Sequence, residues 1–63
     1  MKELITKNYG YKLKHIAEIL SLTSKTMTVY MNDNKKFSIG QLELIEKKTN
    51  IPFTELSLAC YNS

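Results

Sequence analysis

The sequence predicts an all-α fold, a compact domain of five short helices. Apolar residues recur three and four positions apart in successive segments, which is the spacing of one face of a helix. Residues that cap or end helices separate these segments. A chain of 63 residues, 43% of them hydrophobic, is near the lower size limit for a self-sufficient core. We therefore expect residues 1–63 to form a single domain.

The first two predicted helices each carry one apolar face. The first face is Met1, Leu4, Ile5 and Tyr9. Gly10 follows, and glycine suits the left-handed residue that ends a helix. The second face is Leu13, Ile16, Ala17 and Leu20. The second helix is expected to end at residues 21–24, where serine and threonine favour caps and turns over a continued helix.

The third predicted helix has one apolar side and one polar side. Thr23 is placed to cap it, with Ser24 as its first residue. The inward residues are Met27, Tyr30 and Met31, and the outward residues are Ser24, Lys25, Thr28, Val29 and Asn32. Residues 32–34, Asn-Asp-Asn, break the helix, and Lys35 and Lys36 follow in a loop.

The last two predicted helices complete the core. Ser38 is placed to cap the fourth helix, whose inward residues are Ile39, Leu42 and Ile45. Pro52 suits the start of the fifth, whose inward residues are Phe53, Leu56 and Cys60. Leu58 and Tyr61 lie on the other side of that helix. A short helix that is apolar on two sides needs a second cover, so Leu58 and Tyr61 are candidates for a homodimer interface.

The charge is unevenly distributed along the chain. The net charge is +3, and all nine basic residues are lysine. Residues 12–36 contain five of these lysines and two acidic residues. An excess of positive charge in one region favours a polyanionic partner. Arginine bound to guanine is the commonest specific base contact, so a chain without arginine is less suited to a guanine-rich target.

Residues 12–32, approximately, are typical of the DNA-binding helix-turn-helix. Two short helices are joined by a turn of three or four residues, and the second helix has a polar outward side. Such a helix fits the major groove, where its first turns meet base edges. The N–H groups at helix starts and nearby lysines meet phosphates.

Residues 2–56 resemble the phage repressor and Cro group of helix-turn-helix proteins, also called XRE-type. The matching positions are Ile16-Ala17, Leu22-Thr23, Thr26-Met27, Tyr30, Ser38, Ile39, Leu42, Ile45 and the span from Ile51 to Leu56. The resemblance implies a lambda-repressor-like domain and a small transcriptional regulator. Such a regulator acts in the cytoplasm of a bacterium or phage-infected cell and binds double-stranded operator DNA as a homodimer.

The resemblance also assigns roles to individual residues. Those expected to face base edges are Ser24, Lys25, Thr28 and Val29. Those expected near phosphates are Lys14, Thr23, Thr26, Asn34, Lys35 and Lys36. The chain departs from the family at Leu13, where the family has a phosphate-binding glutamine, and at Ser21, where it has a turn glycine.

A protein-interaction module on the same scaffold is the alternative, for example an anti-repressor or a phage-encoded inhibitor of a host protein. It is motivated by the absence of arginine and by apolar residues where the family is usually polar, namely Leu13, Ile19 and Leu44. An antitoxin is a third possibility. A gel shift with the DNA upstream of the chain's own gene separates DNA binding from the alternatives.

An enzyme is not expected. His15 is the only histidine and Cys60 the only cysteine, so neither belongs to a catalytic set or a cysteine-based metal site. Both glycines, Gly10 and Gly40, stand alone, outside any phosphate-binding loop. We expect no metal, cofactor, small-molecule ligand or membrane partner, since no apolar run reaches the roughly 20 residues of a membrane span.

Overall fold

The computed structural model describes residues 1–61, except for the side chain of Lys35. Within this range the fold is all-helical, as predicted, with five helices and no strand. In chain order the elements are an N-terminal π-helix (Leu4–Asn8), α1 (Leu13–Leu20), α2 (Ser24–Asn32), a 3-10 turn (Asn34–Lys36), α3 (Ile39–Thr49) and α4 (Phe53–Tyr61). They pack into a compact globule of 25 × 22 × 20 Å.

One hydrophobic core draws on all five helices. Its fully buried side chains are Ile5, Ile16, Phe37, Leu42, Ile45, Ile51, Leu56 and Cys60, and Met27 of α2 joins them at 3% exposure. The prediction that Ile39 faces this core is wrong, because its side chain is 60% exposed. Residues spaced i, i+3 and i+6 drift around a helix by about 60° per step at 3.6 residues per turn. The buried face of α3 follows Leu42, Ile45 and Thr49 instead, which leaves Ile39 outside it.

The N-terminal helix differs from the prediction in its winding. The Tyr9 backbone N–H donates to the Leu4 carbonyl at 3.2 Å, an i→i+5 bond that widens the turn. Ile5 stays buried, but the wider turn moves Tyr9 off the apolar face and leaves it 38% exposed, contrary to the prediction. Its hydroxyl instead donates to the Glu55 carboxylate on α4. Gly10 adopts a φ of +73° and ends the helix in the left-handed region, as predicted.

The connection between α1 and α2 is only three residues long, Ser21–Thr23. Ser21 adopts a left-handed φ of 57°. The Ser21 N–H donates to the Glu18 carbonyl at 3.2 Å, and the Leu22 N–H donates to the Ala17 carbonyl at 2.8 Å. These two bonds form a Schellman motif, which satisfies the last carbonyls of α1 and reverses the chain.

Side-chain caps set the starts of the later helices. The Ser38 hydroxyl accepts from the Gln41 N–H, and the Gln41 side chain accepts from the Ser38 N–H, so the predicted cap is a full capping box. The carboxylate of Glu46 accepts from the Phe53 N–H at 2.8 Å and so caps α4. Asn50 ends α3 in the left-handed region, with a φ of 63°.

Candidate nucleic-acid interface

A groove lies between α1 and α2. Leu13 is the first residue of α1 and Ser24 the first of α2, and both line a single groove of about 380 Å³. The other residues that line it are Lys14, Ala17, Glu18, Leu22 and Met27. Leu13 therefore shares a groove with Ser24, one of the residues expected to face base edges.

The outward side of α2 is exposed as predicted. Ser24, Lys25, Thr28, Val29 and Asn32 are all exposed to solvent. On the opposite side Met27 is buried, and Tyr30 and Met31 are half-buried against the core. The Tyr30 ring meets Phe37 edge to face at 5.0 Å between centroids, which holds α2 against the segment that follows the 3-10 turn. The four expected base-facing side chains thus share one free surface.

The hydroxyl hydrogen of Thr28 is committed within α2. The Thr28 hydroxyl donates to the Ser24 carbonyl at 3.0 Å. Its oxygen keeps lone pairs that can accept a hydrogen bond, and its methyl group remains at the surface. The hydroxyl of Ser24 and the ammonium of Lys25 are the donor groups among the four side chains.

The start of α2 is organised by two threonines. The Thr23 hydroxyl oxygen accepts from the Thr26 N–H at 3.1 Å, as the predicted cap requires, and donates to the Thr26 hydroxyl oxygen at 3.0 Å. The first N–H groups of the helix, at Ser24 and Lys25, have no acceptor inside the helix. Together they make an anion-favouring end at the groove.

Exposed lysines lie on the elements that contact α2. Lys14 is on α1 and Lys36 is in the 3-10 turn, and both are exposed. The side chain of Lys35 lies outside the described part of the chain. Asn34, also expected near a phosphate, directs its amide nitrogen to the Tyr30 and Met31 carbonyls at 2.8 and 3.2 Å. Its side chain therefore ends α2 in this structure, a role that the sequence analysis did not assign.

Three large apolar side chains are exposed on α3 and α4, one at the start of α3 and two towards the end of α4. The Tyr61 hydroxyl donates to the Phe37 carbonyl at 2.8 Å, two residues before Ile39, and Leu58 lies one turn earlier on α4. Ile39, Leu58 and Tyr61 are 60%, 57% and 41% exposed. We call these three residues the α3–α4 patch. Leu58 and Tyr61 are the predicted candidates for a homodimer interface, whereas Ile39 was predicted to lie in the core.

The apolar residues that motivated a protein-binding surface are placed differently from that expectation. Ile19 is half-buried and packs against the core, and Leu44 is half-buried on α3. Neither is among the large apolar side chains that are exposed to solvent.

His15 and Cys60, the only histidine and the only cysteine of the sequence, each pack against neighbouring side chains. His15 is exposed and stacks on Tyr11, with ring centroids 5.7 Å apart. Cys60 is fully buried, and burial raises the pKa of its thiol to about 11, so the thiol is protonated at neutral pH. Among residues 1–61, no three His, Cys, Asp or Glu side chains converge to hold a metal ion.

No protein-family model matches the chain, and no curated protein or solved structure matches it either. Within the described residues, no helix has the length and apolar character needed to cross a membrane.

Proposed function

We propose that the chain binds double-stranded DNA sequence-specifically, as a small homodimeric transcriptional regulator with a lambda-repressor-like helix-turn-helix. The observation that carries the proposal is the free outward side of α2. Ser24, Lys25 and Thr28 are exposed there, at the beginning of a capped helix that follows a three-residue turn. This arrangement suits a helix whose first turns enter the major groove.

Residues about 12–32 form the helix-turn-helix in this proposal, and α2 is the recognition helix. Lys25 donates to base acceptors, and Ser24 donates or accepts. Val29, 45% exposed on the same side, supplies an apolar contact. The N-terminal half of α2 therefore offers each kind of contact used in reading the major groove.

Phosphate contacts surround the recognition helix. Lys14 and Lys36 supply exposed ammonium groups, Thr23 and Thr26 supply hydroxyls at the helix start, and Lys35 is included from the resemblance. The backbone N–H groups at the start of α2 add a partial positive charge. We leave Asn34 out of the set, because its amide group is engaged with the end of α2.

The α3–α4 patch supplies the homodimer contact in this proposal. A dimer that covers Ile39 and Leu58 removes the most exposed large apolar side chains from water. With two-fold symmetry, its recognition helices meet two half-sites about 34 Å apart on a near-palindromic operator. The binding surface on α2 stays free, because α4 packs mainly against α3 and the 3-10 turn.

The test is binding to duplexes selected from a random pool, followed by competition with unrelated DNA. Retention of the selected duplex at a large excess of competitor supports the proposal. Lys25→Ala is expected to weaken binding at least tenfold, whereas Lys48→Ala, a lysine on α3, is expected to leave it unchanged. Failure to enrich any duplex at micromolar protein contradicts the proposal.

A protein-interaction module remains the second candidate, and the exposure of the α3–α4 patch favours it. Ile39 and Leu58 would then cover a different protein rather than a second copy of the chain. A monomeric solution mass combined with no duplex enrichment supports this candidate. A dimeric mass combined with duplex enrichment contradicts it.

A further inference from the structure

The side chains on the outward side of α2 differ in which base pairs they can distinguish in a major groove. Each base pair presents its own pattern of donors, acceptors and, at thymine, a methyl group. Lys25 is the cation among the four expected base-facing residues, and the chain contains no arginine to make the bidentate contact with guanine. Polar reading of guanine therefore rests on Lys25 and Ser24.

Thr28 is poorly suited to reading guanine. The acceptors of guanine, N7 and O6, require a donor, and the hydroxyl hydrogen of Thr28 is already bound to the Ser24 carbonyl at 3.0 Å. The remaining lone pairs accept from a base amino group, N6 of adenine or N4 of cytosine, so the choice between A·T and G·C depends on the methyl contacts. The methyl group of Thr28 is left to make apolar contacts.

Val29 is an apolar residue on the otherwise polar, exposed side of α2. It is 45% exposed, and valine is a weak helix former, so neither burial nor helix propensity explains its position. It directly follows Thr28 on the outward side of α2. The two residues therefore place methyl groups on the same outward side of α2, about 100° apart around the helix.

We propose that Val29 and the methyl group of Thr28 contact thymine methyl groups, and that the chain selects A·T-rich half-sites. This inference rests on the proposed DNA binding and specifies the sequences that it favours. Thr28 accepts from adenine, Val29 packs on the thymine methyl, and Lys25 sets the position of a flanking guanine or phosphate. The discriminating contacts are mainly apolar.

The experiment replaces single thymines by deoxyuridine in the selected duplex, which removes only the methyl group. Affinity is measured by fluorescence anisotropy at fixed salt. At one or two positions in each half-site, the Kd is expected to rise about fourfold, the effect of losing one methyl from an apolar contact. In Val29→Ala, the effect of deoxyuridine at the thymine that Val29 contacts is expected to fall below twofold, because that contact is already gone, while a thymine contacted by Thr28 keeps its effect.

Two further variants separate the roles of the neighbouring side chains. Val29→Thr keeps one methyl and is expected to keep about half of the deoxyuridine effect on a logarithmic scale. Thr28→Val keeps a methyl group at this position but removes the acceptor, so it is expected to lose preference for an amino-bearing base (adenine or cytosine) and keep sensitivity to deoxyuridine. Both changes are on an exposed helix face, and circular dichroism checks that the fold is retained.

The outcomes separate thymine recognition from DNA binding itself. Enrichment of duplexes with G·C-rich half-sites, or no deoxyuridine effect in a duplex that is bound, overturns thymine recognition and leaves the proposed DNA binding intact. No enrichment of any duplex overturns both. An equal deoxyuridine effect in the unaltered chain and in Val29→Ala assigns the methyl contact to another residue and overturns the role of Val29.

Discussion

The Thr23 hydroxyl oxygen lies 3.1 Å from the Thr26 backbone nitrogen, and this hydrogen bond caps α2. The same Thr23 hydroxyl donates to the Thr26 hydroxyl at 3.0 Å. One side chain thus satisfies a helix N–H and orients the neighbouring hydroxyl that is proposed to face a phosphate. The stability of the domain and the geometry of its proposed interface depend on the same residue.

Removing the cap is expected to lower both stability and DNA affinity. Thr23→Ala is expected to lower the free energy of unfolding by about 1 kcal/mol, because one N–H at the helix start loses its acceptor. Thr23→Ser keeps the hydroxyl and is expected to stay within a few tenths of a kcal/mol of the unaltered chain. Urea unfolding followed by circular dichroism measures both variants. Equal unfolding midpoints for the two would show that the cap does not stabilise the domain.

Replacing Ser21 by glycine is expected to stabilise the domain. Ser21 has a φ of 57°, and this left-handed conformation costs a residue with a Cβ atom about 1 kcal/mol or more. Glycine avoids that cost, although its greater conformational freedom in the unfolded chain offsets part of the gain. Asn50, with a φ of 63°, is the matched control, because asparagine tolerates this conformation. Ser21→Gly should raise the urea midpoint more than Asn50→Gly. The reverse order would place the strain elsewhere.

The slope of log K against log salt is expected to be proportional to the number of lysines that contact phosphates. Lys14→Ala and Lys36→Ala should each lower the slope of log K against log salt by about one unit, since each removes one neutralised phosphate. Lys48→Ala, on α3, should leave the slope unchanged. The Kd is measured by fluorescence anisotropy at several salt concentrations between about 50 and 300 mM. Binding that does not change with salt would contradict phosphate contact.

Cys60 is expected to make stability fall at alkaline pH. Its pKa is raised from the ordinary 9.0 to about 11 by burial, so between these values the folded chain holds a proton that the unfolded chain has released. The free energy of unfolding should therefore be steady below pH 9, as far as Cys60 is concerned, and fall as pH rises toward 11. Cys60→Ala should show a smaller fall over the same range, measured by urea unfolding. An identical fall in both chains would assign it to other groups.

The α3–α4 patch is expected to control self-association. Leu58→Glu places a charge on the patch and should shift the chain from dimer to monomer in sedimentation equilibrium, with a steep loss of affinity for a two-half-site duplex. Leu58→Met keeps the apolar area and should remain dimeric. A monomeric mass for the unaltered chain at micromolar concentration would refute the homodimer.

Local signals in the sequence were enough to predict most of the helix boundaries. Thr23 and Ser38 cap α2 and α3 as predicted, because a cap is decided by a hydroxyl and an N–H three residues apart. Gly10 ends the first helix for a similarly local reason. The outward side of α2 was predicted too, since its pattern of apolar residues is unambiguous.

Packing between distant residues decided the rest. The Asn34 amide donates to a carbonyl at the end of α2. The Tyr9 hydroxyl, outside the core, donates to the carboxylate of Glu55, 46 positions further along the chain. Ile39 became exposed because the core face of α3 follows Leu42 and Thr49. Helix caps and apolar periods act over a few residues, so the order of residues alone determines them. Which side chain the core encloses depends on where the other helices lie, and that is known only after the chain has folded.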